Sequence, residues 1–315
     1  MSSQESVEQI IEKKARRARW WSRRDVSAHI DDLTRSWQQN RQDIGPFQDF
    51  IPMRLATLLE VFTRELVREI IDTGSPYVER AAQISKGAKL DFVFAMNLHG
   101  KKISLGEFVS HSLSLNGISQ ITSVLESLLP GYREQLASVQ DRWAVEMNGQ
   151  PERPIISDID KLFFHLSKLF EVRHIITHEI PANPPYASDD LASFLSSTKE
   201  FLDATDWYVT DKLEGKVPLT QLDMNFSAGE TLEASLKELG TIYERVKKVE
   251  GLDAALLKDS QQKWEVYAEC ESTLRASLVE GGSMHPMVYA SAKTVLTDRR
   301  VEDLRWWLER EEGEV

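Results

Sequence analysis

The chain has 315 residues, 41% of them hydrophobic and 28% charged, enough apolar material for one large core or two ordinary ones. A formal net charge of −12 excludes a uniformly basic nucleic-acid coat, so any RNA or DNA contact must come from a local patch. A single cysteine, Cys270, excludes an intramolecular disulfide and fits a reducing compartment.

In chain order, the opening MSSQESVEQIIEKKARRARWW lacks the apolar stretch of a secretory signal, and a cytoplasmic location is expected. No apolar run approaches the roughly 18 residues of a membrane span, so no membrane contact is expected. Residues 3 to 39 pattern as one or two polar helices. Between Lys13 and Arg24 there are seven basic and no acidic residues, with Trp20 and Trp21 among them. Lys13, Lys14, Arg16, Arg17 and Arg19 form a candidate RNA contact; a solvated helix face is the bland alternative. After GPFQDFIP, the positions Leu55, Leu58, Leu59, Phe62, Leu66 and Ile70 recur at helical spacing and stop near DTGSP. The pattern predicts further helices over about 105–129, closed by PGY, over about 158–179, opened by SDID, and over about 189–213. No alternating run bracketed by hairpin turns is present, so the expected class is all-α: a helical bundle followed by a small helical hairpin module.

The stretch EGKVPLTQLDMNFSAGE reads as a linker. The expected organisation is therefore a polar and basic extension over 1–47, a four-helix bundle over 48–213, a linker over 214–230 and a helical module over 231–315. That module begins with a stripe from Leu232 to Val249 and ends in a hairpin over about 253–280 and 286–310, turned by GGSMHP.

The segment FEVRHIITHEIP, residues 170–181, breaks the helical patterning. With residues spaced about 100° apart, Leu162, Leu166, Leu169, Phe170 and Ile176 form the buried stripe, and Arg173 falls in its middle. A guanidinium is not stable unpaired in an apolar interior. It must meet a carboxylate, reach water, or line a cleft where an anion arrives. His174 and His178 lie on the adjoining flank, one turn apart, and His178 sits where the helix dipole favours positive charge. Their spacing also suits zinc, but neither an H-E-x-x-H order nor a cysteine cluster accompanies it, so no metal is expected. A structural ion pair for Arg173, with histidines capping carbonyls, is the bland reading. The stretch LHGKKISLGE lacks the order of a phosphate loop and no serine sits in G-x-S-x-G, so no cofactor is expected.

An arginine, a polar residue, three more residues and a histidine near the end of a long helix in a bundle resemble the HEPN superfamily. In its nuclease branch the Arg-x4–6-His motif is the catalytic signature, and RHIITH matches it at Arg173, His174 and His178. The likeness covers roughly residues 48–213. It implies metal-independent RNA cleavage, with the ribose 2′-hydroxyl attacking the adjacent phosphate. His178 would move the proton, Arg173 would hold phosphorane charge, and His174 would support them. It further implies RNA as substrate, a homodimer whose motifs face each other, a role as a prokaryotic toxin or antiviral effector, and an antitoxin or regulatory partner. The tyrosine that some HEPN toxins carry two residues after the histidine is Ile180 here, so modification by AMP is not implied. The competing function is a non-catalytic HEPN scaffold that binds a nucleotide or a protein. The environment of Arg173 discriminates: exposure without a neutralising carboxylate favours catalysis, and a carboxylate against the guanidinium favours the scaffold.

The last hairpin has its own likeness. Trp264-x2-Tyr267-x2-Cys270, then Gly281-Gly282-Ser283, then Leu296-Thr297-Asp298-Arg299-Arg300 and Leu304 resemble the LprI-like lysozyme-inhibitor family over about 255–308. That family's second cysteine falls at Ala292. Cys270 is therefore expected as a small core residue, Trp264 and Tyr267 as packing anchors, and Arg299, Arg300, Trp306 and Trp307 as either a contact surface or structure.

Overall fold

Helix α3, Phe50–Asp72, is the axis of the first half of the chain, because Leu55, Leu59, Phe62, Leu66 and Ile70 keep one stripe inward over its whole length, each 1% exposed or less. The structure is a computed structural model and describes residues 3–16, 23–40, 48–85, 103–179 and 181–310. Among these are twelve α-helices and no strand, so the chain is all-α. It divides into two compact units, Met1–Lys216 and Val217–Val315.

In the first unit, α1 (Ser3–Ala15) and α2 (Arg24–Asn40) place Ile10, Val26, Ile30 and Trp37 in the same core as α3. The expectation that residues 1–47 form an extension gives way to this burial. After α4 (Tyr77–Ile84), α5 (Leu105–Ser112) opens on a capping box between Ser104 and Glu107. Gly106 is required here: a Cβ would lie 2.4 Å from the Arg68 carbonyl oxygen of α3. A single helix over 105–129 is not what forms. The chain turns extended at Leu113, buries Leu113 and Leu115, and restarts at Gly117 as α6 (Ile118–Leu128). Two short helices pack against α3 where one straight helix would carry those leucines past it.

Helix α7 (Tyr132–Leu136) is short but anchors firmly. Tyr132 is fully buried, lies edge-on to Tyr208 and shares a 2.7 Å hydrogen bond with the Thr205 hydroxyl. Burial pushes its phenol well above the usual range. Tyr132→Phe removes the partner of a buried hydroxyl and should cost about 1 kcal/mol, read as a lowered Tm; an unchanged Tm would show that Thr205 finds another acceptor.

Helix α8 (Ile159–His178) starts on the Asp158 side chain, which accepts from the Lys161 backbone N–H at 3.0 Å. Helix α9 (Ser188–Glu214) packs on α2, α3, α7 and α8, and Gly215, with φ of 71°, ends it. The expected linker over 214–230 shrinks to 215–220. Thr220 accepts from the Asp223 N–H and starts α10 (Gln221–Val246), so the Asn, Ser and Gly of this stretch lie inside a helix. The second unit is completed by α11 (Ala254–Ala276) and α12 (His285–Glu309). Its small core is Leu239, Ile242, Val246, Leu257, Val301 and Leu304, with Trp264 and Trp307 packed against it. No described helix is long and apolar enough to cross a membrane.

Candidate functional site

Helix α8 buries Leu162, Phe163, Leu166, Leu169, Phe170 and Val172, and this stripe fixes the azimuth of everything at its C-terminal end. There His174 and His178 pair on the exposed flank, and Arg173 lies on the inward side of the same helix end. The two histidines are exposed, with ring centroids 4.8 Å apart and planes at 49°. Arg173 stays on the inward side but lies near the rim, its side chain 31% exposed.

What meets the guanidinium is Glu60 of α3. Arg173 Nη2 lies 3.5 Å from Glu60 Oε1, and the Glu60 side chain is 24% exposed. This is an ion-pair contact with one edge of the fork. The Arg173 side chain has no other hydrogen-bond or ion-pair partner among the described residues. Of the outcomes open from the sequence, a carboxylate meets the guanidinium, the one that favours the non-catalytic scaffold. Half-exposed pairs of this kind contribute about 0–1 kcal/mol.

Glu60 also faces a second arginine. Arg64, one turn further along α3, is half-buried, and burial pulls its pKa down while Glu60 raises it. Its guanidinium donates to the Ser110 carbonyl and, at 2.8 Å, to the Leu113 carbonyl, closing the C-terminal end of α5. Arg64 adjoins His111, whose imidazole pKa is lowered by burial and then by Lys13 and Arg64. His111 Nε2 lies 3.2 Å from Gln9 Oε1 of α1. Neighbouring groups thus run from Lys13 through His111, Arg64 and Glu60 to Arg173. Sequence reading missed Glu60, Arg64 and His111; the only available signal was the Glu60–Arg64 spacing of one helical turn.

The basic segment is partly committed to structure. Lys14 Nζ lies 2.7 Å from Glu107 Oε1, tying α1 to α5. Arg16 is exposed and pairs with Glu12 at 3.7 Å. Lys13 is half-buried. Arg17 and Arg19 lie outside the described residues, as does Ile180. No group of three or more His, Cys, Asp or Glu among the described residues could hold a metal ion. A groove of about 970 Å³ lies toward the other end of α8, beside Phe163, Phe164 and Arg133, and the motif residues do not line it.

In the second unit the inward face of α11 is Leu257, Gln261, Ala268, Ser272 and Ala276. Cys270 therefore falls on the outward face and is exposed, not in the core as expected, and Tyr267 is exposed with it. Trp264 does pack as an anchor. Arg300 is structural, donating to Gln261 Oε1 at 3.2 Å and Ser260 Oγ at 3.0 Å. The tail of α12 carries Trp306 and Trp307 edge to face, with the Arg310 guanidinium 5.8 Å and 5.0 Å from their centroids. Ellman's reagent should titrate Cys270 fully in the native protein, without denaturant. A thiol that reacts only after unfolding would place it back in a core.

The two units are thus an all-α unit with an Arg–His constellation at an open helix end, and a three-helix unit with a small core. The family model described as Lysozyme inhibitor LprI matches residues 216–304, which covers the second unit from its first residue to Leu304 and leaves 305–315 outside. No curated protein and no solved structure matches the chain.

Proposed function

We propose that the first unit is a metal-independent endoribonuclease of HEPN type, cleaving RNA by attack of a ribose 2′-hydroxyl on the adjacent phosphorus. The P–O5′ bond breaks, leaving a 2′,3′-cyclic phosphate and a 5′-hydroxyl. His178 takes the 2′-hydroxyl proton, a protonated imidazole returns one to the departing 5′-oxygen, and Arg173 holds the equatorial oxygens. His174, stacked against His178, positions it. Since the constellation is open on a single chain, a second copy facing it would supply the opposite wall and the second histidine. The observation that carries this reading is the accessible His174–His178 ring pair on the last turns of α8, with Arg173 of the same turns held by a single half-exposed contact.

One observation favours a second reading. Glu60 against Arg173 is the arrangement expected of a non-catalytic HEPN scaffold that binds a nucleotide or a protein. Incubation with end-labelled RNA in EDTA separates the two. Cyclic-phosphate 3′ ends support the nuclease; intact RNA leaves the scaffold.

The second unit is read as an LprI-like binding module. Its 19 acidic and 12 basic residues, and the outward Val266, Tyr267 and Leu274 of α11, suit a basic partner with apolar contacts. A cytoplasmic toxin or antiviral effector, with this module receiving an antitoxin or a trigger, is the biological setting that fits both units.

A further inference from the structure

We propose that Glu60 is a placeholder for the substrate phosphate: it holds Arg173 in the ligand-free chain and yields the guanidinium when RNA arrives. The proposal rests on the nuclease reading of Arg173 and His178. Its geometry is that of a carboxylate in contact with one arginine, Arg173, and one helical turn from a second, Arg64, on α3. Arg64 is half-buried and its donors are committed to the Ser110 and Leu113 carbonyls, so it stays where it is. Arg173 is 31% exposed and touches Glu60 at one point, 3.5 Å away. When Arg173 turns to a phosphate, Glu60 keeps water on its exposed side and the positive charge of Arg64 one turn along α3. No charge is stranded, so the exchange is cheap. A phosphate offers the guanidinium two oxygens in the geometry of its fork, which the single Glu60 contact does not.

A carboxylate in that position has a cost for binding. Its negative charge lies within a few ångströms of the incoming phosphate and opposes it. Removing that charge while keeping the side chain's shape should tighten RNA binding without touching any residue that contacts the reacting atoms. Glu60 acts through Arg173, and its effect should vanish when Arg173 is gone.

The test uses the full chain in a cleavage-silent background, with a fluorescein-labelled single-stranded RNA of mixed sequence. His178→Ala sets the reference Kd. Adding Glu60→Gln should lower Kd about fivefold, the effect of removing one unit charge near the phosphate at water-like screening. Adding Arg173→Ala should weaken binding, and Glu60→Gln placed on top of Arg173→Ala should then change nothing. If Arg173→Ala weakens binding but Glu60→Gln leaves it equal or weaker, Glu60 is a structural partner and the placeholder is overturned while the nuclease reading stands. Should Arg173→Ala leave RNA binding unaltered, the nuclease reading falls and this inference goes with it.

Discussion

Arg23→Ala is expected to destabilise the first unit by about 3 kcal/mol, the lower end of the cost of stranding a buried charge partner. Arg23 precedes α2 and is only 5% exposed. Its guanidinium bonds Asp206 of α9 and Glu69 of α3, and at 2.7 Å the Thr210 hydroxyl. Burial works against the charge, and the two carboxylates more than offset it, so the net pKa shift is upward. Truncation leaves Glu69 with Arg68 at 3.4 Å but removes the cation that Asp206 and Glu69 share. Their side chains are 21% and 24% exposed, so water relieves part of the cost, which is why the lower end applies. Arg23→Lys should recover little, because an ammonium does not span three partners on two helices. Urea titration followed by circular dichroism measures both. A loss below about 0.5 kcal/mol, the range of an ordinary surface substitution, would sink the assignment of Arg23 as the tie between α2, α3 and α9.

Arg23 also shows where sequence reading stops. In the sequence it is one of seven basic residues between Lys13 and Arg24, and the run reads as a surface patch. Periodicity sees only local neighbours, and the partners that bury Arg23 lie 46 and 183 residues away. The same limit hid Glu60, which belongs to a different helix from Arg173. Helices α3, α8 and α9 were legible because each carries a long apolar stripe with stop signals at its ends. The segment 214–230 was not: its Gly, Ser and Asn suggested a linker, while the Thr220–Asp223 cap that starts α10 was passed over. Cys270 was misplaced because the buried face of α11 is small and mixed, with Gln261, Ala268 and Ser272 inward and Val266 and Leu274 outward. Where the core of a unit is this small, hydrophobicity no longer distinguishes in from out. The Arg-x4-His spacing was legible because it is local; the partner of its arginine was not.

The second large effect is catalytic. On the nuclease reading, His178→Ala should reduce RNA cleavage by about 10²- to 10⁴-fold, the usual contribution of a positioned general acid or base. Stability should not follow, because His178 is exposed at the last turn of α8 and no buried group depends on it. Arg173→Ala should also lose cleavage with little change in helicity, since Glu60 retains Arg64 beside it. Arg173→Lys should retain part of the activity, keeping the charge but losing the fork. Equal circular dichroism and equal Tm across the three variants keep the comparison on chemistry alone. Cleavage at the parental rate in His178→Ala would remove the only proton carrier placed at this helix end beside His174, and the double variant His174→Ala/His178→Ala decides whether one ring had replaced the other. If that double variant still cleaves in EDTA, neither imidazole moves the proton, and the constellation on α8 is a scaffold feature whose arginine simply belongs to Glu60.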